Sequence, residues 1–269
     1  MSGWHSLLAS CALMWGLSLL PQPVAAAPPA ATPSFSTREL ETIGQKVWQN
    51  ECGGRRDGLT SWNAGEQFAS LGIGHFIWYP KGVTGPFDEA FPRLAAFLAS
   101  EGAAVPEWVR EQPCPWSSRA AFQAELRSAR MNELRDLLAS TVPLQARFLV
   151  QRMEESLPKL LEAAPPGQQE KVRAQFQRML GSSAGSFALI DYVNFKGEGT
   201  KESERYQGEG WGLLQVLQGM KGSGSAGAVK EFAASAEAVL ARRVANSPPA
   251  RGEKRWLVGW KNRVRRYVP

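Results

Sequence analysis

The stretch that most constrains this chain is residues 48–80, which read WQNECGGRRDGLTSWNAGEQFASLGIGHFIWYP. It places an acid, Glu51, at the end of a helical pattern and stops that helix at Gly53, because glycine readily adopts the left-handed conformation that ends a helix. The residues after the stop are rich in glycine and strand-forming side chains, with turn residues at 62–65. The sequence therefore predicts a helix followed directly by a β-hairpin.

The helix before this stop is predicted to bury part of Glu51. Apolar residues recur at steps of three and four, and Glu51 continues the same series, so its carboxyl group is placed on the apolar face. Ser36 and Glu39 have the spacing of a capping box at the helix start. A carboxyl group that loses water is harder to ionise and can donate a proton near neutral pH. Periodicity leaves open the alternative that Glu51 faces solvent or pairs with one of the two arginines that follow. The apolar residues of the series are Leu40, Ile43 and Val47.

A helix-end Glu, a polar hairpin and the run Ser-Leu-Gly-Ile-Gly-His at 70–75 follow one another here. This order resembles the active-site segment of the lysozyme superfamily, particularly the phage-type lysozymes. The resemblance implies that Glu51 is the general acid and that Ser70 takes the family's hydroxyl position. It also implies that His75 lies in the second strand of the hairpin, with the two glycines of the run.

The segment departs from the family pattern at three points. The loop between Glu51 and Ser70 is longer by a few residues, and the hydroxyl residue is Ser where the family has Thr. Ala64 stands where counting back from Ser70 places the family's Asp. Asn63 and Glu66 are the nearest polar replacements, and the sequence leaves the choice between them open.

Beyond the hairpin the sequence is helical almost throughout. Together with the resemblance, this predicts an α+β fold that is predominantly α-helical and lysozyme-like, with a small β-hairpin beside the active-site helix. Pro158 is expected to kink or end its helix. The predicted helices cover 88–101, 118–138 as two helices, 143–162, 168–180, 187–197 and 229–244.

Two further segments supply candidates for substrate binding. Residues 187–197 resemble the buried central helix of the superfamily, and Tyr192 and Asn194 lie on it. Asn194 is suited either to an acetamido group of a sugar or to a backbone partner. The run Gly-Leu-Leu-Gln at 212–215, which ends in Gln215, is similar to one in lytic transglycosylases, which share the fold.

The hairpin adds further candidates for substrate binding. Trp62 is an aromatic ring that can stack on a sugar or pack in the core, and Trp78 offers the same two alternatives. Asn63 offers an amide at the turn. His75 is the one histidine after residue 27, and it suits either a structural hydrogen bond or a contact with substrate.

The first residues have the composition of an export signal. Residues 1–27 contain no Lys, Arg, Asp or Glu, include an apolar run at 11–20 and end in Val-Ala-Ala-Ala. This predicts a signal peptide cut near Ala26, a flexible linker at 28–35 and one lysozyme-like domain at 36–269, with a periplasmic or secreted location. The signal lacks a basic start, and residues 8–11 spell a lipoprotein-like box, so lipidation is an alternative.

Charge is concentrated near the end of the chain. The formal net charge is +6, and residues 251–266 hold seven Lys or Arg against the single acid Glu253. Such a basic tail suits an anionic polymer such as cell wall, or a membrane surface, or it forms a solvated helix face. A leader peptide argues against nucleic acid as the partner.

Cysteine and histidine counts limit the chemistry. Cys52 and Cys114 either form a disulfide, worth about 4 kcal/mol by loop closure, or remain buried free thiols. One histidine after the leader argues against a histidine-rich zinc site, and neither a metal nor an organic cofactor is implied.

The G-x-S-x-G match at 181–185 is better explained as a helix stop and cap, and the G-x-G-x-x-G match at 222–227 as a flexible segment.

These observations predict a monomeric enzyme that hydrolyses or lytically cleaves a β-1,4-linked aminosugar polymer, with peptidoglycan as the expected substrate. Glu51 would protonate the glycosidic oxygen, and Glu66, Asn63 or Ser70 would supply the second group. A second carboxylate about 5 Å away indicates a retaining mechanism, and one beyond about 6.5 Å an inverting mechanism. Without a facing carboxylate, a single-acid transglycosylase is favoured. The alternative from another class is a non-catalytic glycan-binding protein of the same fold, which Ala64 suggests.

Overall fold

The computed structural model describes residues 35–85, 87–111 and 113–269. The predicted signal peptide and residues 28–34 of the predicted linker lie outside the described residues. Phe35, the last residue assigned to the linker, is partly buried against the core. Within the described residues, no helix combines the length and the apolar character that crossing a membrane requires.

The described residues form eleven α-helices and five short strands, so the prediction of a mostly helical α+β structure is confirmed. The helices are α1 (Thr37–Cys52), α2 (Phe91–Ser100), α3 (Glu107–Arg110), α4 (Arg119–Ala124), α5 (Ala129–Ser140), α6 (Val142–Ala163), α7 (Gln169–Leu180), α8 (Ser183–Lys196), α9 (Leu213–Gly219), α10 (Ala228–Asn246) and α11 (Leu257–Arg265). The strands are β1 (Thr60–Ser61), β2 (Ala69–Leu71), β3 (Phe76–Trp78), β4 (Arg205–Tyr206) and β5 (Glu209–Gly210).

The helix α1 has the start and the stop that the sequence predicts. Ser36 and Glu39 form a reciprocal capping box, which satisfies backbone donors at the first turn. Gly53 ends the helix in the left-handed conformation, with φ of 61°. Ile43 and Val47 are buried, and this apolar face packs on α6. Glu51 is thereby placed in the last turn of a helix that is fixed along its length.

The segment after α1 is a three-stranded antiparallel sheet, where the sequence predicted a two-stranded hairpin. The strand order is β1-β2-β3, and Ser70 in the middle strand pairs with Ser61 on one side and Ile77 on the other. The glycines of the 70–75 run and His75 form the turn between β2 and β3, so placing them in a strand was wrong. His75 has a positive φ of 50° and Gly72 one of 73°, conformations that turns require and strands do not.

A buried glutamine on α6 holds this turn. Gln145 is fully buried, and its Oε1 accepts a hydrogen bond from the backbone N–H of Ile73 at 2.9 Å. Its Nε2 donates to the carbonyl of Leu138 at 2.6 Å and to Thr141 Oγ1 at 3.1 Å. A Cβ at Gly72 would lie 2.5 Å from Gln145 Oε1, so only glycine permits this approach. Gln145 therefore fixes the turn that carries His75.

The helical part is built around α8. Residues 185–193 of α8 are all buried, and the helix contacts α6, α7, α9 and α10. Ser182 caps the start of α8 by accepting from the N–H of Gly185, and Gly181 ends α7, as predicted for the G-x-S-x-G match. The region 118–138 contains two helices, as predicted.

Other elements differ from the sequence expectation. The helix α6 continues through Pro158 to its end at Ala163, so Pro158 does not end it. The sequence placed its last helix at 229–244, but α11 follows α10 and packs on it. Strands β4 and β5 and the helix α9 were also missed, because each is too short to establish a periodicity.

Replacing Gln145 by leucine is expected to lower the free energy of unfolding by about 1–3 kcal/mol, because the N–H of Ile73 loses its buried acceptor. Equilibrium denaturation in urea measures the change. The control is Gln151→Leu on the exposed side of the same helix, where a change within about 0.5 kcal/mol is expected. Equal losses in the two variants would contradict the role assigned to Gln145.

Candidate functional site

Glu51 is half-buried, as predicted, with 15% of its side chain exposed. Its Oε1 accepts hydrogen bonds from Arg263 Nη2 at 2.7 Å and from Asn194 Nδ2 at 3.2 Å. Its Oε2 lies 3.7 Å from His75 Nδ1. The structure therefore brings together three residues that the sequence selected, Glu51, His75 and Asn194, and adds Arg263, which it did not select.

The alternative partners of Glu51 are engaged elsewhere. Arg55 pairs with Asp57 at 2.6 Å, and Arg56 pairs with Asp136 at 2.5 Å. The alternative that Glu51 faces solvent or pairs with one of these arginines is therefore wrong.

Arg263 is shared between Glu51 and a second carboxylate. Its Nε and Nη2 donate to the two oxygens of Asp191 at 2.8 Å each, a bidentate geometry that fixes the guanidinium plane. Asp191 is fully buried and also accepts from Tyr267 Oη at 2.6 Å and from Asn50 Nδ2 at 3.3 Å. We call these residues, with Glu51, the Arg263 cluster.

The protonation states in the Arg263 cluster follow from burial and neighbouring charge. Burial and the adjacent Asp191 raise the pKa of Tyr267 well above its usual value, so the hydroxyl remains a donor. Burial acts to lower the pKa of Arg263, but Asp191 and Glu51 outweigh it and hold the pKa well above the ordinary value. Arg263 is therefore a permanent cation within this cluster.

A cleft of about 400 Å³ is lined by two residues that contact Glu51, although Glu51 itself is not part of its lining. His75 and Asn194, which both contact Glu51, are part of its lining, together with the start of β3, the end of α8 and residues of α10. Phe87 also lines the cleft and is 56% exposed, which leaves an aromatic surface open. A cleft that combines an open aromatic ring with a few polar groups is typical of a site for a small molecule or a sugar.

Cations pack on aromatic rings at one wall of the cleft, where Phe195, Lys196 and Arg243 are lining residues. Lys196 Nζ lies 3.4 Å from the ring centroid of Trp260 and 4.0 Å from that of Phe195. Arg263 packs on the same Phe195 at 4.1 Å, and Arg243 packs on a tryptophan at 4.0 Å. Burial, followed by the charges of Arg243 and Arg263, lowers the pKa of Lys196 well below its usual value. The wall is therefore stiff, and its amine loses its proton more easily than an exposed lysine does.

The turn residues that the sequence proposed as partners of Glu51 interact with one another. Glu66 Oε2 accepts from Asn63 Nδ2 at 3.1 Å, and the Glu66 carbonyl accepts from Trp62 Nε1 at 2.9 Å. Trp62 is 6% exposed and packs on Phe122, so its ring is not free to stack on a sugar. None of these three residues lines the cleft. Assigning them to catalysis or substrate binding is not supported by their positions.

Three further candidates have structural contacts. Ser70 is 4% exposed in the middle strand of the sheet, and Tyr192 is fully buried with its hydroxyl donating to the carbonyl of Trp211 at 3.0 Å. Gln215 accepts from the N–H of Gly212 at 2.9 Å and donates to a backbone carbonyl at 3.0 Å. The prediction that Tyr192 and Gln215 bind substrate is corrected, because these hydrogen bonds occupy their polar atoms.

Cys52 adds a thiol to the contacts of His75. Its Sγ lies 3.5 Å from His75 Nε2, so thiol, imidazole and the Glu51 carboxyl group lie in sequence, as in hydrolases with a cysteine nucleophile. Burial, with Glu51 adjacent, raises the pKa of Cys52 to about 12. The thiol is therefore protonated at neutral pH and unsuited to nucleophilic attack. Cys52 and Cys114 are both buried free thiols, so of the two cysteine alternatives the disulfide is wrong.

The basic tail is less uniform than its sequence suggests. Arg263 belongs to the cluster around Glu51, and Arg265 pairs with Glu237 at 2.8 Å. Lys254, Arg255 and Arg266 are exposed. Contact between this tail and a membrane surface stays a prediction.

Replacing Asp191 by alanine is expected to lower the free energy of unfolding by about 3–5 kcal/mol, because it leaves a buried guanidinium without its bidentate partner. Equilibrium denaturation measures the loss. The control, Glu237→Ala, removes the partner of the exposed Arg265 and is expected to cost about 0–1 kcal/mol. A loss for Asp191→Ala that does not exceed the control would contradict the central place given to this ion pair.

Alkylation of Cys52 by iodoacetamide at mildly alkaline pH is expected to be at least about a hundredfold slower in the folded protein than in the unfolded chain, because the raised pKa removes the reactive thiolate. Peptide mapping by mass spectrometry measures the two rates at this residue. Comparable rates would show a reactive thiol and would restore Cys52 as a candidate nucleophile.

Comparison with known proteins adds no relative to this description. No protein-family model matches the chain, and no match was found among curated proteins or among solved structures. The function of the site is therefore inferred from the chemistry of its own residues. Glu51, His75, Asn194 and Arg263 are the residues on which that inference depends.

Proposed function

We propose that this protein is a glycosidase with a lysozyme-like fold that cleaves a β-1,4-linked aminosugar polymer, with peptidoglycan as its substrate. The observation that carries the proposal is the position of Glu51, a half-buried acid at a helix end that contacts two residues of the cleft wall. A helix-end acid beside a small antiparallel sheet is also what the resemblance of residues 51–75 implies. The signal peptide predicted at 1–27 supports a periplasmic or secreted location.

The two oxygens of Glu51 have different surroundings, which suits a proton donor. Oε1 accepts from both Asn194 and Arg263, and these two bonds fix the orientation of the carboxyl group. Oε2 lies 3.7 Å from His75 Nδ1, too far for a hydrogen bond. We therefore assign proton transfer to Oε2. It gives its proton to the glycosidic oxygen as the bond from C1 to that oxygen breaks, and the carboxylate then accepts the proton of the hydroxyl that attacks C1.

The guanidinium bonded to Glu51 has a separate counter-charge. Arg263 donates two hydrogen bonds to Asp191 and one to Glu51, so Asp191 already balances the cation. In this proposal Arg263 positions Glu51, and Asp191 positions Arg263.

The surroundings of Glu51 favour a single-carboxylate mechanism. The contacts of Glu66 are with turn residues, and Ser70 lies in the middle strand of the sheet. Asp191, the other acid of the Arg263 cluster, is fully buried and cannot contact substrate. The two acids that line the cleft, Asp88 and Glu204, both contact Lys201. We propose that Glu51 acts alone as acid and then as base, as the single-acid transglycosylase alternative requires.

Replacing Glu51 by glutamine is expected to reduce clearing of purified cell wall by about 10²–10⁴-fold, because glutamine keeps the shape but cannot give a proton. Loss of turbidity measures the rate. Glu66→Gln is the matched control and is expected to retain activity, since the hydrogen bonds of Glu66 are with Asn63 and Trp62 of the turn.

The outcomes of this experiment separate the alternatives. Clearing that survives Glu51→Gln removes the assignment of Glu51. Clearing by neither the wild type nor the variant favours the non-catalytic glycan-binding protein. Where clearing occurs, the product masses distinguish hydrolysis, which adds one water per cut, from transglycosylation, which adds none.

A further inference from the structure

The cleft beside Glu51 carries more positive than negative side chains. Five cationic side chains line it against two acidic ones. The cations are Arg152, Lys196, Lys201, Arg243 and Arg251, and the acids are Asp88 and Glu204. The cleft therefore has a positive surface that a neutral polymer would leave uncompensated.

Two of these cations have a carboxylate partner within the protein. Lys201 pairs with Asp88, and Arg243 pairs with Glu253 at 2.8 Å. Glu204 accepts a hydrogen bond from the backbone N–H of Lys201 at 3.3 Å, and burial raises its pKa. The remaining cations of the lining are Arg152, Lys196 and Arg251.

Arg152, on α6, lies among acids that other residues already bind. Asp88 pairs with Lys201, Glu155 pairs with Arg93 at 2.8 Å, and Glu198 pairs with Lys159 at 2.8 Å. Within the described ranges, no carboxylate oxygen lies within 4.0 Å of the Arg152 guanidinium. A half-buried guanidinium without a partner is unfavourable unless a ligand supplies the missing charge.

Lys196, on α8, resembles Arg152 in having no carboxylate partner among the described residues. Its amine lies on the rings of Trp260 and Phe195, and within the part of the chain that the structure describes no carboxylate lies within 4.0 Å of it. It follows Asn194 by two residues, and Asn194 contacts Glu51. Asn194 and Lys196 both line the cleft, so a polymer strand that occupies it lies beside both residues.

We propose that Arg152 and Lys196 bind a carboxylate carried by the glycan, so that the cleft selects an acidic aminosugar polymer over a neutral one. This inference rests on the proposed function, since it uses the same cleft. The planar fork of Arg152 matches a carboxylate in a bidentate geometry. The amine of Lys196 adds N–H donors, and a bound carboxylate favours its protonated form. In peptidoglycan the carboxylate is either the lactyl group of muramic acid or a group of the stem peptide. Arg251, exposed at the rim of the cleft, adds to the field.

The test measures binding to the Glu51→Gln protein, so that it does not depend on cleavage. The probes are glycan strands stripped of their peptides, the same strands with carboxylates converted to methylamides, and intact peptide-bearing strands. Stripped or intact strands are expected to bind at least about tenfold more tightly than methylamidated strands. Tighter binding of intact strands assigns the carboxylate to the stem peptide. Tighter binding of stripped strands assigns it to the lactyl group, whose carboxyl is free only where no stem peptide is attached. Both outcomes support the proposal.

Two variants locate the recognition. Arg152→Gln and Lys196→Met, each in the Glu51→Gln background, are expected to weaken binding of the carboxylated strands by about tenfold and leave binding of methylamidated strands unchanged. Arg93→Gln is the matched control, because Arg93 is a nearby cation that Glu155 already pairs and that does not line the cleft. Its binding is expected to remain within about twofold of the parent.

Three results would overturn the proposal. They are equal binding of carboxylated and methylamidated strands, equal weakening of both by Arg152→Gln, and tighter binding of a glycerol-phosphate oligomer than of either strand. Should Glu51→Gln fail to fold, the wild-type rates of cleavage on the two kinds of strand replace the binding data, and equal rates overturn the proposal. Carboxylate-selective binding without wild-type cleavage would instead support this inference and reject the glycosidase.

Discussion

One buried guanidinium, that of Arg263, determines how the rest of the site is arranged. It connects α11, which carries it, to α8 through Asp191 and to α1 through Glu51. Tyr267 and Asn50 complete the coordination of Asp191, so every polar atom of that buried acid has a partner. Because an unpaired ion is so unfavourable in the core, these groups have few alternative arrangements. The orientation of the proposed proton donor is thus a consequence of core electrostatics.

The parts of the structure that were predictable are those encoded by neighbouring residues. The start of α1 at Ser36, its stop at Gly53 and the burial of Glu51 follow from spacings of one to four residues, and the structure has all three. His75 and Asn194 were found because the segments around them resemble a known family. The finer strand pattern was missed, because strands of two or three residues leave no measurable alternation.

The parts that were not predictable depend on contacts between distant residues. Arg263 meets Glu51 across 212 positions of sequence, and nothing local distinguishes it from the other arginines near it. Asp191 did give a signal, an acid inside the apolar run 187–193, but not the identity of its partner. Trp62, Tyr192 and Gln215 failed as binding residues for a related reason, since residue type alone does not reveal whether a polar atom already has a partner.

The long separation in sequence between Glu51 and Arg263 also has a consequence for the regulation of the proposed activity. Glu51 lies at the end of α1, the first described helix. Arg263, which orients it, lies on α11, the last one, which packs on α10. A protease cut before α11, or a partner that displaces α11, would remove the hydrogen bond that orients the Glu51 carboxyl group. Glu51 itself and the sheet would keep their positions. Regulation of the proposed activity therefore does not require a ligand in the cleft, because displacing α11 removes the hydrogen bond from Arg263 that orients Glu51.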